Sequence, residues 1–242
     1  MLFFKKRKVG PSSVKIVVND INAKGVEGFN RLKDNVLYLN ADGKNKVIQI
    51  ESAISGEGKT TVTVNLAVSL GLTDKKVIVV DLDFRRPRTH RAFGVEKDAG
   101  MAEYILGTID KDKLIKQTSY KNVSLITRGA EIYNSSLVLV SEKFKSLIAE
   151  LREEYDYVLL DCAPVLHVSD YIHISKVADG VLFLVAYGST TKTQVNEALK
   201  ELKKDDVNIL GTVFTMYDVK KDKNGIYRSY YGKSYVEDTT NN

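Results

Sequence analysis

Short runs rich in valine, isoleucine and leucine recur along the chain, at residues 46–51, 77–81, 123–127, 157–161, 181–187 and 209–214. Unalternated runs of this length suit strands buried on both faces rather than strands with one wet side. Helical patterns lie between them. Phe144, Leu147, Ile148 and Leu151 fall at i, i+3, i+4 and i+7, and Val195, Ala198, Leu199 and Leu202 repeat that spacing. A further helix is expected over about residues 26–39. Strands that alternate with helices predict an α/β fold, a doubly wound and mainly parallel sheet with helices on both faces. In such sheets ligands bind beyond the carboxyl ends of the strands, so the functional residues should directly follow strands.

The first run leads straight into Ser52-Ala53-Ile54-Ser55-Gly56-Glu57-Gly58-Lys59-Thr60-Thr61, where an apolar helix begins. Gly56 and Gly58 allow a tight turn that aims backbone N–H groups at phosphate oxygens, and the helix adds its positive N-terminal end. Lys59 would reach the β- and γ-phosphates of a nucleoside triphosphate, and the Thr60 hydroxyl would ligate Mg²⁺. Ser55, Gly56, Glu57, Gly58, Lys59, Thr60 and Thr61 are therefore the candidate ATP-binding residues. Ala53 stands where this phosphate-loop (P-loop) pattern usually has its first glycine.

Two other strands end in carboxylates. One runs Val79-Val80-Asp81-Leu82-Asp83-Phe84-Arg85-Arg86-Pro87, the other Tyr157-Val158-Leu159-Leu160-Asp161-Cys162-Ala163-Pro164. Phosphoryl transfer needs a positioned Mg²⁺ and an oriented acceptor hydroxyl more than it needs covalent help. Asp161 fits the metal-holding role. Of Asp81 and Asp83, one could serve the metal while the other contacts the acceptor.

The net charge of +5 is placed unevenly: Lys5, Lys6, Arg7 and Lys8 carry +4 of it, beside the apolar Met1–Phe4 stretch. Such an arm suits an anionic membrane surface better than nucleic acid, which usually meets a basic face of the folded domain. The lone Cys162 fits a reducing compartment, and the chain reads as cytoplasmic, without a secretory signal or a membrane span. Five of the 13 tyrosines fall in the last 26 residues, with Tyr227, Tyr230, Tyr231 and Tyr235 among glycine, serine and charged neighbours. This composition predicts a flexible tail with no apolar face to bury. The expected organisation is a basic arm and linker at 1–26, a P-loop domain at 27–216 and a tyrosine-rich tail at 217–242. Within the linker, Val14 to Val18 are read as a possible edge strand.

Together these motifs resemble the bacterial tyrosine kinases of capsule and exopolysaccharide synthesis, the BY-kinase family, within the wider group of MinD-like and ParA-like P-loop ATPases. The likeness rests on Ser55–Thr61, on Val80-Asp81-Leu82-Asp83-Phe84-Arg85-Arg86-Pro87 and on Tyr155–Asp161. It implies that Lys59 and Thr60 bind ATP and Mg²⁺, that Asp83 and Asp161 support the metal, and that Asp81 activates a tyrosine hydroxyl. It also implies autophosphorylation of the tail tyrosines and a transmembrane activating partner that brings the protein to the inner face of the membrane. Self-association would run through the tail and residues 27–33. There the family's Glu-x-x-Arg-x-x-Arg motif reads Glu27, Asn30 and Lys33, and an asparagine that related ATPases place near the adenine reads Thr215. The competing expectations are a MinD-like or ParA-like ATPase switch without kinase activity, and a catalytically weak ATP-binding adaptor.

Overall fold

A computed structural model of the chain describes residues 14–20, 23 and 25–217. The elements in order are α1 (Val26–Leu39), β1 (Val47–Ser52), α2 (Lys59–Gly71), β2 (Val77–Asp81), α3 (Thr89–Phe93), α4 (Met101–Leu106), α5 (Lys111–Leu114) and β3 (Lys116–Gln117). They continue with β4 (Val123–Ile126), α6 (Ser135–Leu139), α7 (Glu142–Glu154), β5 (Tyr157–Asp161), α8 (Asp170–Ser175), β6 (Gly180–Ala186), α9 (Lys192–Lys204) and β7 (Ile209–Thr215). One sheet has the order β3-β4-β2-β5-β1-β6-β7. All its neighbours pair in parallel except β3, which runs antiparallel to β4 at the edge.

Strand residues alternate between two apolar layers, as the twofold pleat requires. Ile48, Ile50, Val77, Val79, Tyr157, Leu159, Leu182 and Leu184 pack with α1 and α2 on one face. On the other face, Val47, Ile78, Val80, Val158 and Leu160 meet α7 and α8, while Val181 and Phe183 meet α9. That second layer is split into two clusters because β1 turns Gln49 and Glu51 into it, both fully buried. The helix faces are those the spacing indicates. Phe144, Leu147, Ile148 and Leu151 are buried on α7, and Ser141 caps that helix by accepting from the Phe144 N–H at 3.2 Å. On α9, Ala198 and Leu202 are buried while Val195 and Leu199 are partly so.

Two differences from the sequence reading have local causes. Residues 14–18 form no strand. Asn65 of α2 takes over their backbone groups, accepting from the Val17 N–H and donating to the Lys15 carbonyl, both at 2.8 Å. Val14 and Val18 are thereby held in the first apolar layer without a ladder. The two-residue strand β3 and the short helices α3, α4, α5, α6 and α8 lack a full period of apolar positions, and they form where tertiary contacts replace intrinsic propensity.

Candidate active site

The phosphate loop joins β1 to α2 and turns on Gly56 and Gly58, whose φ angles of 88° and 93° lie in the left-handed region open to glycine. Glu57 fixes it from below. Its buried carboxylate accepts from the Ile54 N–H at 2.6 Å, from the Ala186 N–H at 3.2 Å and from the Thr190 hydroxyl. The Glu57 side chain thus anchors the loop to the end of β6, and only its backbone is left to face a phosphate. Lys59, a residue 8% exposed, folds back and its ammonium donates to Ser52 Oγ at 2.8 Å. Thr60 and Thr61 occupy the first turn of α2. At the outer lip, Ser55 Oγ and His167 Nδ1 lie 3.2 Å apart, which brings the loop after β5 against the phosphate loop.

The carboxylates meet at the adjoining strand ends. Asp81 and Asp161 are direct partners in the parallel register of β2 and β5, and both are buried. Asp81 accepts from the Thr89 hydroxyl at 2.5 Å and from the Asp83 N–H at 3.3 Å. Asp161 Oδ1 accepts from the Thr63 hydroxyl at 3.2 Å, whereas its buried Oδ2 has no hydrogen-bond partner. Burial, and next the charge of Asp161, push the Asp81 carboxyl well above the usual carboxylate range. Asp161 is also raised by burial, a shift moderated by the Thr60 hydroxyl and the Lys59 charge. Asp83 is half-buried in the turn after β2, where its carboxylate accepts from the N–H groups of Arg85 (3.1 Å) and Arg86 (2.8 Å). Its charge acts on both buried carboxylates.

This arrangement fits a divalent cation. The Asp161 Oδ2 orphan and two mutually repelling carboxylates are relieved by positive charge, and the Thr60 hydroxyl lies beside them. Among the described residues no three acidic, histidine or cysteine side chains form a ready metal cage. Such a sparse donor set suits Mg²⁺, which commonly takes one or two carboxylates and completes its shell with phosphate oxygens and water.

A family model described as an AAA domain matches residues 45–210. Tyrosine-protein kinase CpsD of Streptococcus pneumoniae is 34% identical over 87% of this chain and 93% of its own length. The chain belongs to the bacterial tyrosine-protein kinase family. Tyrosine-protein kinase YwqD of Bacillus subtilis is 32% identical, over 85% of this chain and 86% of its own. Among solved structures, the kinase domain of the Escherichia coli tyrosine kinase ETK superposes with a TM-score of 0.80 at 25% identity, covering 89% of this chain and 84% of that one. The septum site-determining protein MinD of Pyrococcus horikoshii, complexed with Mg-ADP, gives a TM-score of 0.60 at 26% identity, covering 70% of each chain.

In this member of the kinase family, several site residues escaped the motifs. Thr89 opens α3 and clamps Asp81 with both its hydroxyl and its N–H. Arg128, buried behind β4, donates to the Phe84 carbonyl at 2.7 Å and so braces the turn that carries Asp83. Asp170, buried at the start of α8, accepts from Ser135 at 2.9 Å and pairs with Arg85 at 3.2 Å. Gln49, Glu51 and Cys162 form a buried polar group beneath the loop, and burial raises the Cys162 thiol. Only Gln49 and Glu51 left a usable signal, as polar positions inside an otherwise apolar central strand. In the motif at residues 27–33, Glu27 pairs with Arg31 of its own helix at 2.9 Å.

Proposed function

We propose that this chain is an ATP-dependent protein-tyrosine kinase that transfers the γ-phosphoryl group to tyrosines of its own C-terminal segment. The carrying observation is the pair of facing strand-end carboxylates, Asp81 and Asp161, set beside the glycine loop of Lys59. In the reaction an acceptor phenol oxygen forms a bond to the γ-phosphorus, the bond to the β–γ bridging oxygen breaks, and ADP leaves. Lys59 would leave Ser52 for the phosphate oxygens, and the loop amides would orient the chain. Thr60, Asp83 and Asp161 would hold Mg²⁺, which supplies charge neutralisation at the phosphates. Asp81 would take the phenol proton. Positive charge beside Asp161 would leave Asp81 ionised, while burial keeps its proton affinity high enough to serve as a base. The family names and the Mg-ADP complex of MinD support this reading.

The acceptors we propose, Tyr227, Tyr230, Tyr231 and Tyr235, lie outside the described residues, as does the basic arm of Lys5, Lys6, Arg7 and Lys8 that we assign to an anionic membrane surface. No helix among the described residues is long and apolar enough to cross a membrane. We propose a membrane-spanning activating partner, self-association through the tail and residues 27–33, and a role in capsule or exopolysaccharide synthesis. A relative from Klebsiella pneumoniae, named a putative tyrosine-protein kinase in cps region, supports the pathway.

The test is incubation with γ-labelled ATP and Mg²⁺, followed by mapping of the label. Wild type should carry label on the tail, and the variant with all four tyrosines changed to phenylalanine should lose most incorporation while binding ATP normally. ATP hydrolysis without any protein-bound label would replace the kinase reading with the ATPase switch.

A further inference from the structure

The strand order constrains where the two ends of a nucleotide lie. β1 is flanked by β5 on one side and β6 on the other. Asp81 and Asp161 occupy the β5–β2 side, so the γ end of a bound triphosphate belongs there and the base leaves over the ends of β6 and β7. Those two strand ends are tied to the phosphate loop. The Thr215 hydroxyl donates to the Glu57 carbonyl at 2.7 Å, and the Thr215 side chain lies 3.7 Å from where a Cβ on Gly58 would stand. The Thr215 hydroxyl proton is thus engaged by the loop itself, which takes away the simplest hydrogen-bond donor to a base.

Both strands run out into aromatic residues. Tyr187 comes directly after β6, and Tyr217 lies two residues beyond β7. The Tyr187 N–H donates to the Thr215 carbonyl at 2.9 Å, which locks the strand ends together. The two rings have centroids 4.7 Å apart and planes inclined at 60°, so each braces the other. Both side chains are only half-buried.

We propose that Tyr187 and Tyr217 form the base-binding subsite of this chain, an aromatic platform that takes a purine by stacking instead of by hydrogen-bonded readout. The proposal rests on the ATP-binding reading of the phosphate loop and adds to it a specificity. Every base has a π-face, so stacking tolerates base identity where a donor–acceptor code would not. The braced ring pair also lowers the conformational entropy lost when a base docks.

The experiment is equilibrium titration of the full chain with Mg-ATP, Mg-GTP and inorganic tripolyphosphate, for wild type and for Tyr187→Ala, Tyr187→Phe, Tyr217→Ala and Tyr217→Phe. Each alanine variant should bind ATP about tenfold or more weakly, and each phenylalanine variant should stay within about threefold of wild type, as expected for loss or retention of one base–aromatic stack. Tripolyphosphate, which has no base, should bind all five proteins alike. Wild type should bind GTP within about tenfold of ATP, a comparison that needs no variant. Unchanged ATP affinity in both alanine variants overturns the platform. So does equal weakening of tripolyphosphate, which would mean damage to the loop, and so does a wild-type preference for ATP over GTP of about a hundredfold. A wild type that binds neither ATP nor tripolyphosphate overturns the phosphate-loop reading itself, and the platform with it.

Discussion

Changing Glu51 to glutamine should stabilise the protein, by an amount that grows as pH rises. Glu51 is fully buried on the central strand β1. Burial pushes its carboxyl from an ordinary 4.5 to about 8, against the smaller opposing effects of the Gln49 hydrogen bond and the Lys59 charge. The folded protein therefore holds a proton that the unfolded chain releases. Stability from this group is full below about pH 4.5, declines as pH rises, and is lost once pH passes about 8. At about 1.4 kcal/mol per pH unit above 4.5, retaining the proton at pH 7 costs up to roughly 3 kcal/mol. Relaxation of the interior brings this to about 1–3 kcal/mol. Glutamine keeps the oxygen that accepts from Gln49 Nε2 at 2.8 Å. It also puts an N–H₂ donor where Glu51 Oε2 has no hydrogen-bond partner, in a buried pair whose Gln49 Oε1 likewise has none. Urea unfolding of both proteins between pH 5 and pH 8 measures the effect. The gap should open with pH, and the melting temperature at pH 7 should rise by several degrees at roughly 2–4 °C per kcal/mol for a chain of this size. A variant less stable at pH 7, or a gap that stays constant across the range, refutes the argument.

Lys59→Met should weaken Mg-ATP binding by about a hundredfold or more and abolish labelling, since it removes the ammonium held at the base of the loop on Ser52; wild-type affinity in a titration would remove Lys59 from the site. Asp81→Asn should reduce single-turnover transfer by about 10²–10⁴-fold, the usual weight of a general base, with ATP affinity changed less than about tenfold. Equal loss of affinity and rate would make Asp81 a metal-binding residue instead.

The sheet and the phosphate loop were legible because each depends on local pattern. Apolar runs without alternation place the parallel strands, and glycines at 56 and 58 mark the left-handed turn. The carboxylates could be located but not arranged. Only register shows that Asp81, and not Asp83, stands opposite Asp161. Asp83 is drawn instead into the turn capped by the Arg85 and Arg86 N–H groups. The supports were illegible for a related reason. Thr89, Arg128 and Asp170 act through partners 8, 44 and 35 residues away, and no spacing rule connects those positions. Asn65 illustrates the same limit at the edge of the fold. One amide side chain satisfies backbone groups at Lys15 and Val17, so a stretch with strand-like composition is held in place without joining the sheet.

These long-range supports bear on catalysis because the site's own charges are internally opposed. Lys59 is withdrawn from the loop onto Ser52, and Asp81 and Asp161 face each other in a buried register that resists the ionisation of both. Lys59 moderates the Asp161 carboxyl only in part, and β1 and β5 fix the strand ends while Glu57 pins the loop to β6. On the proposed reading, a triphosphate bearing a divalent cation would answer both at once, giving Lys59 an anion and the carboxylates a cation. Thr89 and Arg128 hold the carboxylate side rigid meanwhile, one at Asp81 and the other at the turn bearing Asp83. Charge complementarity to a metal–nucleotide would thus be built into backbone positions and would not await folding around the ligand. That is the condition under which electrostatic stabilisation of a transferring phosphoryl group needs little reorganisation at the moment of reaction.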